Sequence, residues 1–234
     1  MCGSLRHLYN PTNPTNPTNP TTPIFPPPAY RSTSEITSDY LTNSHYTNYS
    51  VTVLDATSGT AKEGKVMDFG LLVARLVLGV LMAAHGSQKL FGWFGGYGLN
   101  GTAGFFEQLG FRPGRVFVTA AAGTEILGGV LLAAGLLSPV ASGLIVSVMI
   151  VAALAVHWQH GVFAASNGIE VPLLYATGAI ALALTGPGAY SLDELAGLTP
   201  YWTTAVGVGA VVIGALAGGT NLALRRPAQQ TAHA

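Results

Sequence analysis

Three basic side chains and one carboxylate stand inside stretches of sequence that are otherwise apolar. Arg75, His85 and Lys89 lie in the run "ARLVLGVLMAAHGSQKLFGWFGG", and Glu125 lies in "AAAGTEILGGVLLAAG". Groups of these types can hold and transfer protons. A lone carboxylate at membrane depth is costly unless it is paired, protonated or hydrated. We therefore expect these side chains to face one another inside the protein.

Helical periodicity gathers the basic and small residues of the first run on one face. At about 100° per residue, this face carries Arg75 and Lys89 together with Gly79 and Gly86, with His85 at its edge. The opposite side consists of leucine, valine and alanine. The face with the charges is therefore predicted to turn toward other helices.

The second run carries a matching face, on which Glu125 stands with Ala121 and Gly128. Small residues allow close approach of helix backbones in membranes. Helical side chains lean toward their own N-terminus, so in an antiparallel pair Glu125 and His85 lean toward a common depth, whereas Arg75 leans toward the outer surface. We predict a contact between Glu125 and His85, with Arg75 completing the network through its long stem or a water molecule.

Two interpretations of these residues remain open. In the functional one, Glu125, His85 and Arg75 are candidate catalytic residues, and the set suits proton transfer to a quinone or anion binding. The wider intramembrane polar network comprises Arg75, His85, Lys89, Glu125 and His157, with His160 and Glu170 near the same mouth. In the structural one, Arg75 and Glu125 form a buried pair that fixes helix register, and Lys89 extends to the headgroups. A haem held by His85 and a second histidine is a weaker alternative.

The elements that must position these residues are five apolar runs. They cover about 69–91, 116–137, 139–158, 169–185 and 201–224. A membrane span needs about 20 mostly apolar residues, so four runs qualify comfortably and the run 169–185 qualifies marginally. Only 9% of the 234 residues are charged, against about 25% in soluble proteins. These features predict an all-α protein, a polytopic transmembrane helical bundle of four to five spans.

The regions outside the runs differ in kind. Residues 1–66 contain "NPTNPTNPTNPTTPIFPPP", a composition typical of a disordered tail. Met67 stands directly before the first run, which favours a true start there and a transmembrane domain over 67–226. Residues 227–234 form a C-terminal tail. The connection 92–115 contains "TAGFFEQLGF", which predicts a short interfacial helix, with Trp93, Phe94 and Tyr97 as anchors.

The distribution of Lys and Arg predicts the orientation. With five spans, one side carries Lys89, Arg112, Arg115, Arg225 and Arg226. The other side carries Lys62, Lys65 and the acidic "LDEL" segment with Asp193 and Glu194. The positive-inside rule makes the first side cytoplasmic.

Composition also excludes several classes of function. The net charge is zero, so no electrostatic argument for a nucleic-acid partner arises. The one cysteine is Cys2, which excludes a thiol–disulfide relay or a cysteine-ligated cluster carried by this chain alone. No metal-ligand spacing is present in the sequence, and no metal is predicted.

The sequence resembles the DoxX family of small bacterial membrane proteins over about 67–160. The resemblance rests on "LLVARLVLGVLMAAHGSQKLFGWFGGYG", "GTAGFFEQLGFRPGR" and "TEILGGVLLAAGLLSPVASGLI", in that order. It implies a multi-pass protein of the bacterial plasma membrane, an oxidoreductase subunit or accessory of a quinone-linked redox system with redox partner subunits. It implies no catalytic residues. The family commonly has four spans, so the fifth run is a departure. The alternative is a non-enzymatic membrane scaffold or a small-solute permease.

Overall fold

The computed structural model describes the backbone of residues 47–226 and the side chains of residues 62–226. The chain divides into two units, Met1–Ala56 and Thr57–Ala234. Of the first unit only residues 47–56 are described, and they are helical. The second unit contains every side chain discussed below.

Seven α-helices and no strand occur in residues 47–226. They are α1 (Thr47–Phe91), α2 (Gly98–Gln108), α3 (Gly114–Ala134), α4 (Ser138–Ala152), α5 (Glu170–Thr185), α6 (Leu192–Leu195) and α7 (Thr204–Ala223). A π-helical segment, Ala153–His157, and a 3-10 turn, Trp158–His160, extend α4. The predicted helix in the connection after the first run is confirmed as α2.

The apolar lengths confirm the predicted fold class. Four helical segments are long and apolar enough to cross a membrane: Lys62–Phe91, Gly114–Ala134, Ser138–His160 and Thr204–Ala223. The shorter apolar helix is α5, with 16 residues, just below the length that usually spans a bilayer. The protein is a multi-pass membrane protein built as a helical bundle.

The first helix begins earlier than the sequence predicts. We expected a span from about 69, but α1 begins at Thr47 and includes residues 47–66 of the predicted tail. A physical reason is that no proline occurs between 29 and 112, so nothing forbids helical hydrogen bonding upstream of Met67. The rest of that tail, and residues 227–234, lie outside the described residues.

Packing places α4 at the centre of the bundle, in contact with α3, α5 and α7. The buried apolar cluster includes Met82, Leu132, Ala141, Ile145, Val146, Met149, Tyr175, Ala179 and Leu182. One side of α1 is exposed and apolar, at Val73, Val77 and Val80 among others. In a bilayer that side faces lipid, because apolar side chains gain nothing by leaving hydrocarbon.

The predicted contact between the small-residue faces of α1 and α3 is confirmed. A Cβ added at Gly79 would lie 2.5 Å from the Gly129 carbonyl oxygen, and one added at Gly86 would lie 2.6 Å from that of Ala122. Neither position could hold a larger side chain without moving a backbone. These two glycines therefore set the register between α1 and α3.

Hydrogen bonds across the bundle define its two ends. At what we name the basic end, Arg226 N donates to Gly110 O over 2.8 Å and Arg225 Nε donates to Leu109 O over 2.9 Å. At what we name the acidic end, Asp193 bonds to the α3–α4 turn at Leu137. The helices α1, α3, α4, α5 and α7 run alternately between these ends, so the basic residues that the sequence groups on one side do share the basic end.

Candidate functional site: a charged cavity at the basic end

A cavity of about 810 Å³ lies among α1, α2, α3 and α4 at the basic end. Aromatic rings of α2 and the adjacent loop line it, including Phe105, Phe106 and Tyr97. Glu125 of α3 and Lys89 of α1 also line it. The cavity therefore combines an apolar wall with an ion pair.

Glu125 is the buried charge of this cavity, with an exposed fraction of 2%. Its Oε1 accepts a hydrogen bond from Lys89 Nζ. Its Oε2 is buried and has no hydrogen-bond partner among the described residues. The close approach at Gly86, one turn before Lys89, is what brings the lysine opposite Glu125.

The predicted contact between Glu125 and His85 is wrong. His85 is exposed, and its Nδ1 donates to Gln88 Oε1 over 3.2 Å. Its ring meets Tyr175 of α5 edge-on, with 5.9 Å between centroids. The reason is helix register: with Gly86 against Ala122, the side chain next to Glu125 is Lys89, and His85 turns toward α5.

His157 lies at the cavity, on the π-helical extension of α4. Its Nδ1 donates to the Asn167 carbonyl over 2.7 Å, which leaves Nε2 as the acceptor of the neutral ring. The wider π-helical turn also places Ala155 and Val156 in the lining. Such turns occur frequently at functional sites.

His160 and Glu170, which we placed near the same mouth, do not line the cavity. His160 Nδ1 donates to Val156 O over 3.0 Å, and Glu170 Oε2 accepts from Ala164 N over 2.7 Å. Both side chains stabilise the loop between α4 and α5. Their closeness to His157 in the sequence did not predict their position, because the loop between α4 and α5 folds back on itself.

Gln88 is a cavity residue that the sequence did not indicate. Its Nε2 donates to Phe94 O over 3.2 Å, and Gly96 packs against its backbone. Phe94 has a left-handed φ of 53°, which is uncommon for a non-glycine residue. Gln88 therefore helps to hold the loop whose Gly95, Gly96 and Tyr97 form part of the lining. A polar residue beside a lysine offers no distinctive sequence signal.

Comparison with known families decides the identity of this region. The DoxX family model matches residues 70–158. The chain carries a DoxX domain. No curated protein and no solved structure matches the chain significantly.

The resemblance seen in the sequence is thus confirmed. All the residues that line the cavity, from Gln88 to His157, lie within the DoxX domain. The helices α5, α6 and α7 follow the matched segment. Tyr175 and Asp193 therefore come from outside it. Among the side chains of residues 62–226, no group of three His, Cys, Asp or Glu residues is arranged to hold a metal ion.

Arg75 lies in the DoxX domain but belongs to the acidic end. It is 1% exposed, and its Nη2 donates to the Tyr190 carbonyl over 2.6 Å. Its guanidinium fills the space beside the Cα of Gly135, where a side chain would otherwise stand. The opposite charge that acts on its guanidinium is the carboxylate of Asp193. The prediction that Arg75 completes a network with Glu125 and His85 is therefore wrong, and so is the alternative buried pair of Arg75 with Glu125. The reason is that the Arg75 side chain leans toward the acidic end, away from Glu125.

Asp193 is the buried carboxylate near Arg75, and no sequence pattern indicated it. It is fully buried, and its Oδ1 accepts from Leu137 N over 2.8 Å. Its Oδ2 accepts from Ser138 N over 2.9 Å and from Ser138 Oγ over 2.6 Å. These bonds satisfy the free amides at the start of α4. We had used Asp193 only as a topological marker, since a carboxylate in a loop gives no sign of burial.

Proposed function

We propose that this DoxX-domain protein is a subunit or accessory of a quinone-linked redox system in the bacterial plasma membrane, and that its cavity binds the quinone ring. The observation that carries the proposal is the cavity itself, which places an ion pair with an unpaired carboxylate oxygen at an aromatic wall. Ligand sites commonly combine an apolar lining with a few converging polar groups.

The chemistry of the lining fits a quinone. Phe105 and Phe106 offer apolar faces to a flat ring. Lys89 Nζ can donate to a ring carbonyl, because it carries three hydrogens and Glu125 Oε1 takes one of them. These groups would hold the ring and orient one of its oxygens toward Glu125.

Reduction of a quinone to a quinol takes two electrons and two protons. In this proposal the electrons come from a redox partner protein and the two protons from water at the basic end, and Glu125 takes up a proton and passes it to the ring oxygen. His157, whose Nε2 can take up a proton and pass it on, stands at the same cavity as a second proton donor to the ring. The role of Glu125 agrees with general acid–base catalysis by a positioned carboxyl group.

The test is binding of decylubiquinone to the full-length protein in detergent, measured through quenching of tryptophan fluorescence. Ala121→Leu fills the cavity beside Glu125 and should weaken binding at least tenfold. Ala120→Leu makes the same change at the adjacent position of α3, which is exposed and outside the lining of this cavity, and is the control. Equal binding by both variants and the wild type, or no saturable binding at all, would contradict the proposal.

A second candidate function is a non-enzymatic membrane scaffold, and the acidic end favours it. There the buried carboxylate of Asp193 accepts three hydrogen bonds, which join the α6 region to the start of α4. In that case purified protein would contain no extractable quinone and no visible absorption. Quinone retained in proportion to protein would instead support the redox role.

A further inference from the structure

Glu125 uses only half of its hydrogen-bonding capacity. Oε1 accepts from Lys89, whereas Oε2 is buried without a partner among the described residues. Buried polar atoms in folded proteins nearly always have a hydrogen-bond partner. An ionised carboxylate accepts hydrogen bonds and cannot donate them. Oε2 therefore requires a donor, and because Glu125 lines the cavity, a ligand bound there is a source of one.

Lys89, next to Glu125, has the opposite requirement, because its ammonium group needs a hydrogen-bond acceptor. The ammonium group has only donors, and its side chain remains 29% exposed while it contacts Glu125. A ligand oxygen at this position meets one acceptor and one donor together. A hydroxyl group satisfies both, because its hydrogen goes to Oε2 while its oxygen accepts from Nζ. A carbonyl oxygen can accept from Nζ but leaves Oε2 without a partner.

We infer that the cavity binds the hydroxyl-bearing, reduced form of its ring ligand, a quinol-type dihydroxyarene, more tightly than the oxidised quinone. This inference rests on the proposed function, since it specifies which redox form the same site prefers. The difference between the two forms is one hydrogen bond to an ionised acceptor, which corresponds to at least about tenfold in affinity.

A preference of this kind changes the redox potential of the bound couple. Tighter binding of the reduced form raises the midpoint potential, by about 30 mV for each tenfold in a two-electron couple. The bound quinone thus becomes a stronger acceptor for electrons from the partner protein. Binding in the cavity would therefore favour reduction of the ring, independently of proton transfer by Glu125.

The experiment measures dissociation constants of decylubiquinone and its quinol by anaerobic calorimetry on the full-length protein in detergent. We expect the quinol to bind at least tenfold more tightly. The dimethyl ether of the quinol has the same ring but no hydroxyl hydrogen, and it should lose this advantage. Because this comparison uses the wild-type protein, it does not depend on a variant that folds.

Glu125→Gln replaces an oxygen with an amide nitrogen that can donate to a carbonyl, so the ratio should fall to parity or invert. Glu194→Gln makes the same chemical change at an exposed carboxylate of the other end and should leave the ratio unchanged. Equal affinities for quinol and quinone, or a dimethyl ether that binds as well as the quinol, would overturn the inference while the proposed function stands. Binding of none of the three ligands would overturn both.

Discussion

The two ends of the bundle each contain a buried carboxylate and a nearby cation, but the carboxylates are used differently. At the acidic end, Asp193 accepts three hydrogen bonds from the α3–α4 turn and the start of α4. At the basic end, Glu125 accepts only from Lys89 among the described residues, its other oxygen is buried, and the residue lines a cavity of about 810 Å³. A fully satisfied buried charge holds helices together, whereas a partly satisfied one beside a cavity leaves capacity for a ligand.

The largest expected effect on stability is at the acidic end. Asp193→Ala removes three hydrogen bonds and leaves Arg75 buried without the opposing charge, so the free energy of unfolding should fall by about 3–5 kcal/mol. Chemical denaturation in detergent measures it. Glu194→Ala, a neighbouring carboxylate on the same short helix, is the control. A loss below about 1 kcal/mol for Asp193→Ala would show that the two ends do not differ as described.

The next effect concerns the register between α1 and α3. Gly79→Ala places a Cβ against the backbone of Gly129, and overpacking of this kind typically costs about 1–3 kcal/mol. Gly70→Ala adds the same atom to the same helix where nothing lies within 4 Å. Thermal unfolding should show a lower midpoint for Gly79→Ala alone. Identical midpoints would mean that α1 can shift along α3 without cost, and that the opposition of Lys89 and Glu125 is not set there.

A smaller effect is expected at the mouth of the cavity. Gln88→Ala removes the hydrogen bond to Phe94 O and should destabilise the loop by about 0.5–1.5 kcal/mol without unfolding the bundle. Hydrogen exchange should become faster in residues 92–97 and remain unchanged in α4. Unaltered exchange in the loop would show that its glycines and aromatic contacts suffice to hold it.

The smallest effect on stability, and the sharpest contrast, is at Glu125. Glu125→Gln loses the ion pair with a partly exposed lysine but also removes a buried charge, so stability should change by less than about 1 kcal/mol. In the native membrane the same variant should lose quinone-dependent activity, because the amide cannot transfer a proton. Normal activity in a normally folded Glu125→Gln protein would remove the proton role. A loss of stability as large as that of Asp193→Ala would make the two ends equivalent.

Much of the fold follows from local sequence patterns. Apolar runs predict the helices, and the 16-residue length of α5 explains why its run looked marginal. The small-residue faces predict the close packing of α1 on α3, because only small residues allow it. The start of α1 was misjudged, since a polar composition indicates exposure and does not by itself prevent a helix.

The choice of ionic partners was harder to predict. Glu125 was expected to meet His85, yet it meets Lys89, one turn further along α1. A shift of one turn moves a side chain by about 5.4 Å, which is comparable to the uncertainty of about 3–6 Å in a predicted helix boundary. The placement of Asp193 near Arg75 could not be predicted at all, because the two positions are far apart in the chain.

The amino-acid sequence by itself determined that this chain forms a membrane-spanning helical bundle with a DoxX domain and that its buried charges must be compensated within the protein. Composition and periodicity suffice for the bundle and for the compensated charges, because charged side chains are costly in hydrocarbon whatever the details of the fold. The DoxX domain follows from the resemblance of particular segments to the family. Only the tertiary structure decided which cation faces which carboxylate and that Glu125, which lines a cavity, has one oxygen without a partner in the part of the chain described. Those outcomes depend on helix register and on loop contacts across the bundle, which no local pattern encodes.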